Sequence, residues 1–148
     1  MSNIDLTAMA QRYKAMLEDL ASKVNGEKDE KSNTYDVQFA YNGINCVAVF
    51  DYDDPPFVRI ICPNFYPEQR IPDGKLPAVT VALMKSNMKC KGAKLILSRD
   101  NTDVSATLEF LEQADEKGAG VLKMETLGRY LQMLFSAVMY ARVAFDSQ

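Results

Sequence analysis

Asp51-Tyr52-Asp53-Asp54 is the segment whose residue types and spacing come nearest to a catalytic arrangement. An Asp-x-Asp pair after an apolar run can supply a nucleophilic carboxylate, a second carboxylate as acid and base, and oxygen ligands for Mg²⁺. That chemistry requires the run to be a parallel strand followed by a helix. Here Asn42-Gly43 turns the run back against the strand before it, which makes the pair antiparallel. Pro55-Pro56 stands where the helix should begin. The segment therefore reads as a solvated acidic turn. A carboxylate- and Mg²⁺-dependent hydrolase using Asp51, Asp53 or Asp103 is the catalytic alternative. Gly118-Ala119-Gly120 is too short to cradle a phosphate, and Lys123 is not at Walker spacing, so it reads as a flexible connector. Cys46 and Cys62 fall at inward strand positions and read as buried, inert thiols. Cys90 lies between Lys89 and Lys91, the setting that can activate a thiol.

Histidine is absent from the 148 residues. This removes the usual general base near neutral pH and excludes Ser-His and Cys-His nucleophile systems. No catalytic residue, metal or cofactor is assigned. Hydrophobic residues make up 47% of the chain and charged residues 25%, values of an ordinary globular protein. A net charge of −3 leaves no electrostatic footprint for nucleic acid or anionic lipid. Three widely spaced cysteines form neither a disulfide framework nor a zinc motif. Met1-Ser2-Asn3-Ile4-Asp5 has no signal-peptide character, and no apolar run is long enough to cross a membrane. One cytoplasmic domain over residues 1–148 is expected.

The elements that would position these residues follow from periodicity. Asp5 can cap a helix with one apolar face, Leu6, Met9, Tyr13, Leu17, Leu20 and Val24, stopped at Asn25-Gly26. The charged stretch Glu27 to Ser32 reads as a loop. From Thr34 the period is two, and the Asn42-Gly43 turn pairs Tyr41 with Ile44, Phe39 with Cys46, Val37 with Ala48 and Tyr35 with Phe50. A third strand, Phe57 to Cys62, turns Val58, Ile60 and Cys62 inward. After an irregular connector through Gly74, a helix runs from Leu76 through Val79, Leu83 and Met88. A hairpin from Leu95 to Phe110 follows, with Ser105 on its polar outer face. The chain closes on a helix from Met124 to Phe145 whose buried stripe is Leu127, Leu131, Leu134, Val138, Ala141 and Phe145. The fold class is α+β: helix, three-stranded antiparallel meander, helix, β-hairpin, long carboxy-terminal helix. The same register leaves Val47, Val49, Arg59 and Ile61 together on the outward face, too apolar for a plain solvent face. These four are the expected partner-binding residues, facing a polypeptide segment or a second copy of the chain.

The order of elements, the Asn42-Gly43 hairpin into Cys46-Val47-Ala48-Val49-Phe50 and the strand Val58-Arg59-Ile60-Ile61 carry a family resemblance. Lys94 to Asp100, Thr107-Leu108-Glu109-Phe110 and the closing amphipathic helix extend it. The chain resembles the class I type III secretion chaperones and the YbjN-like sensory transduction regulator proteins. The resemblance implies a curved antiparallel sheet with the first and last helices on one face. It also implies dimerisation through the middle helix and sheet edge, and binding of extended polypeptide. The expected role is non-enzymatic protein binding, chaperone-like or as an adaptor. The alternatives are the hydrolase and a purely structural homo-oligomer.

Overall fold

One hairpin sets the register of the core in the computed structural model, which describes residues 3–66 and 71–146. Asn42 and Gly43 take φ of 48° and 84°, the left-handed backbone that a tight two-residue turn demands. They join β2 (Thr34–Tyr41) to β3 (Ile44–Asp51) with Phe39 opposite Cys46 and Val37 opposite Ala48. The alternation then forces Val37, Phe39, Ile44, Cys46, Ala48 and Phe50 to one side, where all six are buried. β4 (Phe57–Tyr66) adds Val58, Ile60 and Cys62 to that side.

The architecture is α+β, with three helices and a six-stranded antiparallel sheet. The sheet order is β1-β2-β3-β4-β6-β5, where β1 is Ser22–Asp29, β5 is Lys94–Leu97 and β6 is Val104–Leu111. α1 (Leu6–Leu20) packs on β1 to β3, and α3 (Met124–Asp146) on β4 to β6, both on the inward face. Tyr13 of α1 touches Phe50 edge-on with ring centroids 5.3 Å apart, and Phe110 of β6 meets Tyr130 of α3 at 4.9 Å. α2 (Leu76–Lys89) packs against α3 and β5.

Several expectations are corrected. The meander has four strands, because α1 ends at Leu20 and Ala21 is already extended. Val24 keeps its apolar spacing but sits on β1, after a left-handed Lys23 and a register shift between Ser22 and Asn25. Its charged continuation looks like a loop in sequence because an edge strand carries charge on both sides. Gly26 leaves room there for the Tyr35 side chain: a Cβ would lie 2.5 Å from the Tyr35 hydroxyl unless the ring shifted. β4 continues past Cys62 to Tyr66 through a register shift at Asn64, whose φ is 51°. The Asn64 N–H donates to Ser105 Oγ at 3.0 Å, which buries a serine that alternation had assigned to solvent. Residues 67–70 of the expected connector lie outside the described residues. α2 buries Val79, Ala82 and Ser86, and leaves Met88 87% exposed.

The segment read as a flexible connector, Gly118 to Gly120, is instead clamped by Glu112. The Glu112 carboxylate is 2% exposed and accepts from the backbone N–H groups of Gln113 (2.8 Å), Val121 (3.0 Å) and Leu122 (3.1 Å) and from the Tyr13 hydroxyl. Burial and this bond push the Tyr13 phenol well above its ordinary pKa. Arg12 Nη1 lies 4.0 Å from the carboxylate, and its Nη2 donates to the Leu122 carbonyl. A Cβ at Gly120 would sit 2.7 Å from Glu112 Oε2, and the Gly118 carbonyl accepts from Asp5 N at 3.0 Å.

Removing the Glu112 carboxylate orphans all of those donors, each at a cost of about 1–3 kcal/mol when buried. Glu112→Ala should therefore destabilise by about 3–5 kcal/mol in a urea titration, as much as Phe39→Ala in the core. A loss below about 1 kcal/mol would show that the clasp is not buried in solution.

Candidate partner-binding surface

The inward residues of β2 to β4 are consumed by the helices, so their outward neighbours make the opposite surface. Val47 is paired with Ile61 and Val49 with Arg59 across β3 and β4. The four side chains therefore stand side by side on the face away from α1 and α3, and Val47, Val49 and Ile61 are half-buried by their neighbours alone. Gln38 and Asp36 of β2 flank the valines, and Thr107 and Glu109 of β6 flank Ile61 and Arg59. Arg59 Nε donates to Glu109 Oε1 at 3.1 Å, and its guanidinium lies 5.6 Å from the Phe57 ring centroid. Both partners are nearly half exposed, so the ion pair orients Arg59 more than it stabilises the fold. Beside Val47 the face is hollowed into a groove of about 430 Å³ lined by Asp36, Gln38, Asn45 and Pro63, with Lys23 at its rim. Among the described residues, no helix covers this face.

The two sheet edges differ. Asn87 of α2 reaches the outer edge of β5, where its Oδ1 accepts from Leu95 N at 2.7 Å and its Nδ2 donates to Leu95 O at 2.9 Å. The amide imitates a neighbouring strand and seals a strand only four residues long. Among the described residues no strand pairs with the outer side of β1, and its register with β2 is regular from Asn25 to Asp29. Neither the sealed edge nor β1 itself was anticipated from sequence.

The chemical candidates are absorbed by local structure. Asp51 Oδ1 accepts from Asp53 N at 2.8 Å, and Asp53 Oδ1 accepts from Asn33 Nδ2 at 3.1 Å, so these carboxylates brace the turns at the end of β1 to β4. Asp103 lies in the β5–β6 turn with Ser98 and Thr102. Among the described residues, no three His, Cys, Asp or Glu side chains are grouped to hold a metal ion. Cys46 and Cys62 are buried neighbours in the core, where the hydrogen bond with Cys62, together with burial, pushes the Cys46 thiol up. Cys90 is also pushed up by burial, against the opposing charge of Lys94, whose Nζ caps the carbonyls of Asn87 and Cys90 at 3.1 and 3.0 Å. No helix among the described residues is long and apolar enough to cross a membrane.

No protein-family model and no curated protein matches the chain. Solved structures do. One chain of the HopA1–SchA chaperone–effector complex aligns over 95% of this chain and 98% of its own length, at 14% identity and a TM-score of 0.55. YbjN from E. coli aligns over 93% and 90%, at 13% identity and a TM-score of 0.52. The chain has the type III secretion chaperone-like fold. At such identities the likeness establishes the fold alone.

Because a raised pKa moves deprotonation to higher pH, native Cys90 should react slowly with iodoacetamide near neutrality, with a midpoint above that of a free thiol. Cys46 and Cys62 should stay unmodified until the protein unfolds. Ready native alkylation of either would mean that the inward face of β3 and β4 is not closed.

Proposed function

We propose that the chain is a non-enzymatic, cytoplasmic protein-binding domain that holds extended segments of other polypeptides. The segment lies along the open edge of β1 and on the outward face around Val47, Val49, Arg59 and Ile61. The observation that carries this reading is the contrast between the edges: Asn87 closes β5, while among the described residues no strand pairs with the outer side of β1 and no helix covers the partly apolar outward face. An added strand would gain main-chain hydrogen bonds along Asn25–Asp29, and the stretch of the segment that continues across the outward face would meet the groove beside Val47, two strands in from that edge. The likeness to a chain of a chaperone–effector complex supports the same class of partner.

A second reading, self-association, rests on α2. Val81, Met84 and Met88 are exposed at helical spacing, opposite the buried Val79, Ala82 and Ser86. A helix apolar on two faces has one face left for a second copy of the chain.

The test pairs two variants with peptides selected from a random displayed library on the wild-type protein. Val47→Asp with Ile61→Asp should weaken selected extended peptides by at least about tenfold, with circular dichroism unchanged. Met84→Asp should lower the mass in solution without altering peptide affinity. Unchanged affinity in the Val47/Ile61 double variant would remove the sheet face from the reading.

A further inference from the structure

α3 has a second apolar surface that its core stripe does not use. Beside the stripe of Leu127, Leu131 and Leu134, the helix presents half-buried Phe135 and Met139 and, further round, Tyr140 and Val143, with Val143 73% and Tyr140 43% exposed. These side chains line a cavity of about 610 Å³. It adjoins a smaller one of about 160 Å³ at the carboxy-terminal end of α2, floored by Cys90, Met133 and Ala137; Ser136 and Tyr140 line both. Lys89, Lys91 and Arg129 rim the smaller cavity.

No carboxylate among the described residues neutralises the charge at this rim, although Lys89 also meets the Tyr140 side chain. All three cations are exposed, and none makes an ion pair among the described residues, although the chain has 20 acidic residues to 17 basic. Glu125, one turn before Arg129, makes no ion pair with it. Lys94 shows the contrast, since its ammonium is occupied by two helix-end carbonyls. Lys89 Nζ stands 5.5 Å from the Tyr140 ring centroid, at the junction of the two cavities. One end of the combined groove is thus apolar and the other positive.

We propose that this groove receives an acidic amphipathic helix of a partner polypeptide, with apolar side chains against Phe135, Met139 and Val143 and carboxylates against Lys89, Lys91 and Arg129. The inference rests on the protein-binding reading but uses a different surface. A helix fits better than an extended segment, because helix-walled side chains offer no strand edge and an extended backbone would be left with unpaired N–H and C=O groups. The net charge of −3 gives an anionic bilayer little to attract it, so a discrete acidic helix suits this cation-rimmed face better. Arg129 to Val143 spans about 21 Å at 1.5 Å per residue, which matches a partner helix of about 14 residues.

The probe is a fluorescein-labelled helical peptide of about 14 residues, with Glu in its first turn and Leu at i, i+4 and i+7 thereafter, read by anisotropy. A Lys-for-Glu peptide is the control. The wild-type protein should prefer the acidic peptide by at least about tenfold, less so at high salt. Lys89→Glu with Lys91→Glu and Arg129→Glu should reverse that preference. Val143→Asp should weaken both peptides, and because Val143 is exposed the variant should fold. Val47→Asp with Ile61→Asp should change neither, so failure of the sheet-face reading and failure of this one are separable. The proposal is overturned if the acidic peptide does not bind, if charge reversal leaves the preference intact, or if Val143→Asp has no effect on binding. It is equally overturned if the same residues bind phosphatidylserine vesicles instead, or if Val143→Asp only lowers the mass in solution.

Discussion

A carboxylate taken out of water costs several kcal/mol unless it is fully hydrogen-bonded, and Glu112 is satisfied only when three parts of the chain meet. Its donors come from α1 through Tyr13, from its own neighbour Gln113 and from the backbone just before α3. Strand β6 delivers Glu112 to that point, and the Glu112 N–H is itself held by the Pro56 carbonyl at 2.7 Å. The first and last helices can therefore share the inward face in only one relative placement. That placement fills the inward face, and among the described residues no helix covers the outward one. The glycines of the 118–120 segment serve packing here: a Cβ at Gly118 would lie 2.7 Å from backbone atoms of Asn3 and Asp5.

Much of this is written in the sequence and some is not, for physical reasons. The Asn42-Gly43 turn and the period-two alternation determine which side chains of β2 and β3 turn inward, since a slip of one residue would reverse every one of them. The stripe of α3 is legible because its apolar spacing persists over several turns. β1 is hidden because its charges suit an edge strand and a loop equally. Glu112 is hidden because a single glutamate after a strand looks like any surface residue. The available signal was Tyr13, an aromatic on a wholly buried helix face whose hydroxyl had to find a partner. Asn87 gave no signal, since an asparagine near a helix end is ordinary until the strand it seals is placed beside it.

The outward surfaces divide by chemistry. The sheet face offers backbone groups at β1 and a mixed apolar and polar floor, which suits an extended chain. The outer side of α3 offers only side chains, apolar at one end and cationic at the other, which suits a helix. α2 stands between these roles, sealing one sheet edge with Asn87 while exposing Val81, Met84 and Met88. A small acidic domain with no histidine thus presents chemically distinct surfaces on more than one side, and among the described residues no three His, Cys, Asp or Glu side chains are grouped to hold a metal ion.

The most direct measurement of the central claim is hydrogen–deuterium exchange along β1, in the free protein and in complex with a library-selected extended peptide. Outward amides between Asn25 and Asp29 lack a strand partner in the free chain and should exchange quickly. In the complex they should slow by at least about tenfold, while the Leu95 amide, already bonded to Asn87, should not change. Equal exchange at β1 in both states would contradict strand addition at that edge, and with it the proposal that this edge receives an extended polypeptide.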